Sequence, residues 1–169
     1  MIVDVHAHYI PACLAEIDRF SDFFKVEEDK NEKKIFIKKR ELGPLNRGLI
    51  NLDEQLIDMD KAGIDMRFIS LPPFVLNYED KRCTDWAHES NKALSKDVAL
   101  YKDRFRYLAT LPMKDMDGAI RELDSAINDS LCSGVEIATN IAGMELDDEY
   151  LAPFWQMADQ NEVFVLLHP

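Results

Sequence analysis

Short apolar runs alternate along this chain with longer stretches in which apolar residues recur every three or four positions. Ile2-Val3-Asp4-Val5, "MRFISLPP" (66–73), "RYLATLP" (106–112), "GVEIA" (134–138) and "VFVLL" (163–167) read as strands. Between them, Leu14, Ile17 and Phe20 fall at helical spacing. A helix is predicted over Asp53–Lys61, with Asp53 as its N-cap and Gly63 as its stop. Thr84 is placed to cap a long helix running to about Lys102, with Ala87, Leu94, Val98 and Tyr101 on one face. Asp115 or Asp117 opens a helix carrying Ile120, Leu123, Ile127 and Leu131, with Gly134 after it as a stop, and Asp147 and Asp148 precede one carrying Leu151, Phe154, Trp155 and Ala158. One segment breaks the pattern. "KVEEDKNEKKIFIK" has two β-prone ends around a charged centre, and reads as an inserted hairpin or loop over about residues 25–40.

Strands alternating with amphipathic helices imply an α/β fold with a parallel sheet. The five consecutive apolar residues of "VFVLL" are the mark of a strand covered on both faces. At 169 residues the chain is expected to form a single domain over 1–169.

Composition narrows the partners. Apolar residues make up 47 % and charged residues 31 %, the balance of a globular chain. A net charge of −12 repels phosphate backbones and anionic lipid, so nucleic acid and membrane are set aside. The three cysteines, Cys13, Cys83 and Cys132, form no CxxC pair, which points to plain thiols in a reducing compartment. No signal-peptide pattern opens the chain and no apolar run nears the ~18 residues of a membrane span, so a cytoplasmic protein is expected.

The candidate chemistry lies in the histidines, of which there are four. His6 and His8 stand at i and i+2 on the end of the first strand, so both imidazoles face the same side. His168 ends the fifth strand in the same manner, an apolar run followed by His and Pro. Each alone is more often a strand-end residue than a ligand. At equivalent ends of parallel strands they converge, because that is where ligands gather in α/β sheets and barrels, and together they read as donors to one cation. His88, in the helical "DWAHESN", reads as a solvent-facing residue.

"DVHAHYIP", "LIDMDKAGIDMRFISLPP", "DRFRYLATLPMKDMDGAIRELDSAI", "GVEIATNIAGMELDDEYLAPFWQMA" and "VFVLLHP" together resemble the amidohydrolase-related family. The likeness is to the branch typified by aminocarboxymuconate-semialdehyde decarboxylase and the aromatic-acid decarboxylases. It covers nearly all of the chain apart from the charged insertion. It implies the N-terminal five strands of a TIM-like (β/α)8 barrel, incomplete, with His6, His8 and His168 as ligands of one divalent metal ion, zinc by expectation. The family's acid/base histidine and its aspartate ligand fall on later strands, beyond Pro169. The fourth strand carries no lysine of the kind that is carbamylated in binuclear members, which favours a single metal. Arg47, with Arg40 behind it, is the candidate for binding a substrate carboxylate, and Asn140 is a second candidate that is equally at home as a turn residue.

The function implied is a metal-dependent carboxy-lyase acting on a small unsaturated or aromatic carboxylic acid. The alternatives are a metal-dependent hydrolase of the same superfamily and a non-catalytic truncated remnant. Five strands leave two open edges where a closed barrel typically takes ~250 residues, so a missing C-terminal half, or else another polypeptide such as a second copy, is expected to cover them.

Overall fold

The computed structural model describes residues 1–29, 32–37, 40–44, 47–73 and 82–169. Five parallel strands form one sheet. They are β1 (Val3–His8), β5 (Met66–Ser70), β6 (Phe105–Thr110), β7 (Cys132–Ala138) and β8 (Val165–His168), side by side in that order. Between β1 and β5 lies a separate antiparallel sheet of β2 (Phe24–Asp29), β3 (Glu32–Ile37) and β4 (Arg40–Pro44). The charged stretch holds the antiparallel pair β2 and β3, and β4 follows it as a third strand. Among the described residues four helices connect the parallel strands: α1 (Leu52–Ala62), α2 (Cys83–Val98), α3 (Met116–Ile127) and α4 (Ala152–Gln160).

The sheet is strongly curled. In a flat sheet β1 and β8, four spacings apart, would stand ~19 Å from each other. Instead, imidazoles from these two strands meet, and the Phe68 and Phe164 rings touch across the concave face with centroids 6.3 Å apart. The architecture is a half-barrel with helices outside and strand C-termini along one rim.

Several local expectations give way to better caps. Asn51, not Asp53, caps α1, its side chain accepting the Asp53 N–H at 2.9 Å. Thr84 does not cap α2. Its hydroxyl donates to Asp115, and Asp115 in turn caps α3 by accepting from the Gly118 N–H. The apolar spacing of Leu14, Ile17 and Phe20 produces two short 3-10 turns, Ala12–Glu16 and Asp18–Phe20, which bury Leu14 and Phe20 without a continuous helix. Phe20, Phe23 and Phe24 then ring the buried Trp86 of α2, with centroids 5.1, 5.2 and 5.8 Å away. This cluster fastens the segment after β1 to the helical layer.

"VFVLL" is not covered on both faces: Phe164 is 41 % and Leu167 43 % exposed, since β8 is an edge strand of the sheet. His88 is 61 % exposed, as its polar surroundings imply, yet its Nδ1 reaches the Glu122 carboxylate at 2.9 Å. The three cysteines are free thiols. Among the described residues no helix is long and apolar enough to cross a membrane.

Two glycines do different work. Gly63 ends α1 at φ +70° with open space around it. Gly134 was expected to stop α3, but it lies inside β7, and at φ +149° it admits the neighbouring strand so closely that a Cβ would sit 2.2 Å from the Phe164 carbonyl oxygen. Gly134→Ala is therefore expected to cost about 3 kcal/mol through overpacking and strain, against about 1 kcal/mol for Gly63→Ala. Urea denaturation of the two variants checks this order.

Candidate metal centre

The first strand delivers its histidines as strand periodicity requires. Despite a register irregularity between Asp4 and Ala7, His6 and His8 emerge on one side at the rim. At the other edge of the sheet, His168 pairs in register with Ala138 of β7. The curl brings the edges together. His6 Nε2 lies 3.3 Å from His8 Nε2, and His8 Nε2 lies 3.3 Å from His168 Nε2. Among the described residues these three are the one group of His, Cys, Asp or Glu donors close enough to hold an ion, with all three ligand atoms within 4.8 Å of one another.

That spacing fits a cation. Two nitrogens bound ~2.05 Å from a tetrahedral ion stand ~3.3 Å apart. A cation held by both nitrogens of a pair would satisfy this spacing, as would one hydrogen shared between a protonated and a bare nitrogen. The protonation state agrees. Burial, and then the neighbouring His6 and His168 rings, push His8 down to about 4 against the opposing pull of the Ser70 and Leu71 backbone. His8 is thus neutral at pH 7, the state in which an imidazole can ligate. His168 places Nδ1 2.9 Å from the Pro169 carbonyl. A carbonyl only accepts, so the hydrogen sits on Nδ1 and Nε2 is bare.

Beneath the histidines lies a polar layer that their spacing did not reveal. Ser70, in register with His8 at the end of β5, sets its Oγ 3.2 Å from His8 Nδ1 and donates to Glu136 Oε2 at 2.5 Å. Glu136 lies on β7 and is buried. Burial raises its pKa, opposed by the Ser70 hydrogen bond and by nearby His168 and His6. Gln55 of α1 reaches the carbonyls of His8 at 3.0 Å and Gly48 at 2.7 Å, and so clamps the end of β1 to the turn at Arg47–Leu49. Its Oε1 accepts from Arg67, which also pairs with Asp4 at 2.8 Å. The available signals were a serine closing "MRFIS", a glutamate in the otherwise apolar "GVEIA" and a glutamine on the inner face of α1.

The two substrate-binding candidates fall differently. Arg47 is exposed on the turn that Gln55 holds against His8. Arg40 begins β4, and its side chain lies outside the described residues. The Asn140 side chain serves its own loop, accepting the Gly143 N–H at 2.8 Å.

The family model described as amidohydrolase matches residues 3–169. The chain belongs to the amidohydrolase family. A 2-amino-3-carboxymuconate-6-semialdehyde decarboxylase of Dictyostelium discoideum is 23 % identical over 173 residues, covering 99 % of this chain and 48 % of its own length. A gamma-resorcylate decarboxylase of Rhodococcus jostii is 28 % identical over 160 residues, covering 88 % and 49 %. The chain therefore spans about half the length of the curated relatives it matches. Among solved structures, Metarhizium anisopliae IDCase in its apo form superposes with a TM-score of 0.83 at 22 % identity, over 100 % of this chain and 50 % of that one. A dihydroxybenzoic acid decarboxylase from Polaromonas, solved with bound manganese and 2-nitroresorcinol, gives 0.70 at 22 %, over 99 % and 49 %. These neighbours establish the fold as a curled half-barrel of the amidohydrolase type.

The lowered pKa of His8 has a sign that titration reads. The unfolded chain accepts a proton near pH 6.5 that folded His8 resists until about 4. In metal-free protein the contribution of His8 to stability is complete above about pH 6.5 and is lost as pH falls towards 4. Urea midpoints measured across that window are expected to drop less steeply in His8→Gln than in the unaltered chain.

Proposed function

We propose that this chain carries the metal-binding half of the active site of a divalent-metal-dependent carboxy-lyase, whose substrate is a small unsaturated or aromatic carboxylic acid. The observation that carries the reading is the convergence of three imidazole nitrogens, with 3.3 Å between neighbours, from opposite edges of one curled sheet. The relatives named as decarboxylases support the reaction class.

His6, His8 and His168 would hold the cation. Three imidazoles suit zinc, whereas the Polaromonas neighbour holds manganese, so the donor set favours zinc while the neighbour keeps manganese in view. When bound, the ion supplies Lewis acidity that polarises a substrate oxygen. The exposed guanidinium of Arg47 offers a charge-assisted partner for the substrate carboxylate. Phe68, two positions before Ser70 on the same face of β5, presents an apolar ring suited to a planar unsaturated body. The three histidines cannot ligate and shuttle protons at once, so the proton that replaces CO2 on carbon must come from another group.

Elemental analysis of protein purified without chelator is expected to find close to one divalent ion per chain, lost in His6→Ala. A folded wild-type chain without metal would overturn the reading. In a CO2-release assay with hydroxylated aromatic acids, Arg47→Ala is expected to raise KM about tenfold or more, a charged hydrogen bond being worth ~1.5–3 kcal/mol. Turnover of a lactone or amide without CO2 would favour a hydrolase instead.

A further inference from the structure

Glu136 is 1 % exposed. Its Oε2 accepts the Ser70 hydroxyl, and its Oε1 is buried with no hydrogen-bond partner among the described residues. A carboxyl so placed opposes folding, because a buried polar oxygen without a partner forfeits its hydration. An apolar residue would suit so buried a strand position better for packing alone. The residue does not ligate with the histidines, since it falls outside the cluster of convergent donors. What it does touch is Ser70, and Ser70 touches His8.

With the Glu136 carboxyl ionised, the hydrogens along this chain of contacts have one consistent assignment. Ser70 has a single hydroxyl hydrogen, and the 2.5 Å contact to Glu136 Oε2 claims it over the Ala7 carbonyl at 3.4 Å. The Ser70 oxygen then faces His8 Nδ1 at 3.2 Å with lone pairs only. His8 Nδ1 must carry the hydrogen, and Nε2, the atom facing His6 and His168, must be bare. We infer that Glu136 and Ser70 are positioning residues, a relay that fixes the tautomer and ring orientation of His8 so that Nε2 is presented as a ligand. The three groups stand on three different strands, β7, β5 and β1, so the relay also ties the inner strands of the sheet to the edge that bears two of the three ligands. His168 obtains the same tautomer from a backbone carbonyl, whereas His8 requires side chains to supply it.

The inference rests on the metal-site reading, and its test separates the two. The ring nitrogens of His8 are read by long-range ¹H–¹⁵N correlation in metal-free protein, and zinc affinity is read by competition with a chromophoric chelator. The unaltered chain is expected to show His8 with hydrogen on Nδ1. In Ser70→Ala the His8 population should move towards the Nε2–H form while His6 is unmoved, and zinc affinity should fall about 10- to 100-fold. Ser70→Thr, which keeps the hydroxyl, should restore both. Glu136→Gln keeps the shape and an acceptor but not the charge, and should weaken zinc by about tenfold. This variant carries the test should Ser70→Ala fail to fold by circular dichroism. A His8 tautomer and a zinc affinity unchanged in Ser70→Ala, or in Glu136→Gln, would overturn the relay while leaving the metal site standing. A tautomer that shifts as expected in a chain that binds no zinc would uphold the relay and overturn the metal site.

Discussion

The rim chemistry depends on the curvature of one sheet. The three converging histidines come from its two outermost strands, and no hydrogen-bond ladder joins those strands to each other. Right-handed twist, accumulated over five strands, brings them within reach, and the Phe68–Phe164 contact fills the concave side. The close approach at Gly134 belongs to the same requirement, since it lets β8 lie hard against β7 where the curl is completed. Any change that flattened the sheet would separate His168 from His6 and His8 without altering any of the three residues.

A second layer of organisation is polar and lies under the first. Gln55, Ser70 and Glu136 come from α1, β5 and β7, and each is buried. Gln55 fixes where the backbone of β1 ends, by gripping the His8 and Gly48 carbonyls together. Ser70 fixes which way the His8 ring faces. Burying these groups opposes folding except where each finds partners, so the layer is a sacrifice of core stability for geometric definition at the rim.

The broad architecture was legible because it follows from periodicity. Five apolar runs with amphipathic segments between them give a parallel α/β sheet, and a two-residue spacing on a strand puts His6 and His8 on one face. What escaped was decided by tertiary contacts. Thr84 looks like a cap by residue type, yet Asp115 attracts its hydroxyl and the α2 backbone begins without it. Leu14, Ile17 and Phe20 have helical spacing, but burial around Trp86 is satisfied by short 3-10 turns. Gly134 looks like a stop because glycine is the commonest one, while its real task is a close approach between strands that no local pattern encodes. Ser70 and Glu136 are one residue each in apolar strands, and their partnership spans 66 positions.

The separation of the ligands has a consequence for how the molecule assembles. His8 and His168 stand 160 positions apart and yet meet, so an ion held by both, as proposed, would be a cross-link across nearly the full sequence. Closing so long a loop is among the largest entropic demands the chain faces, although the demand grows only logarithmically with length. The third imidazole is in place only when β8 is docked on β7. An ion held there as proposed would serve as a clasp that only a docked half-barrel can fasten.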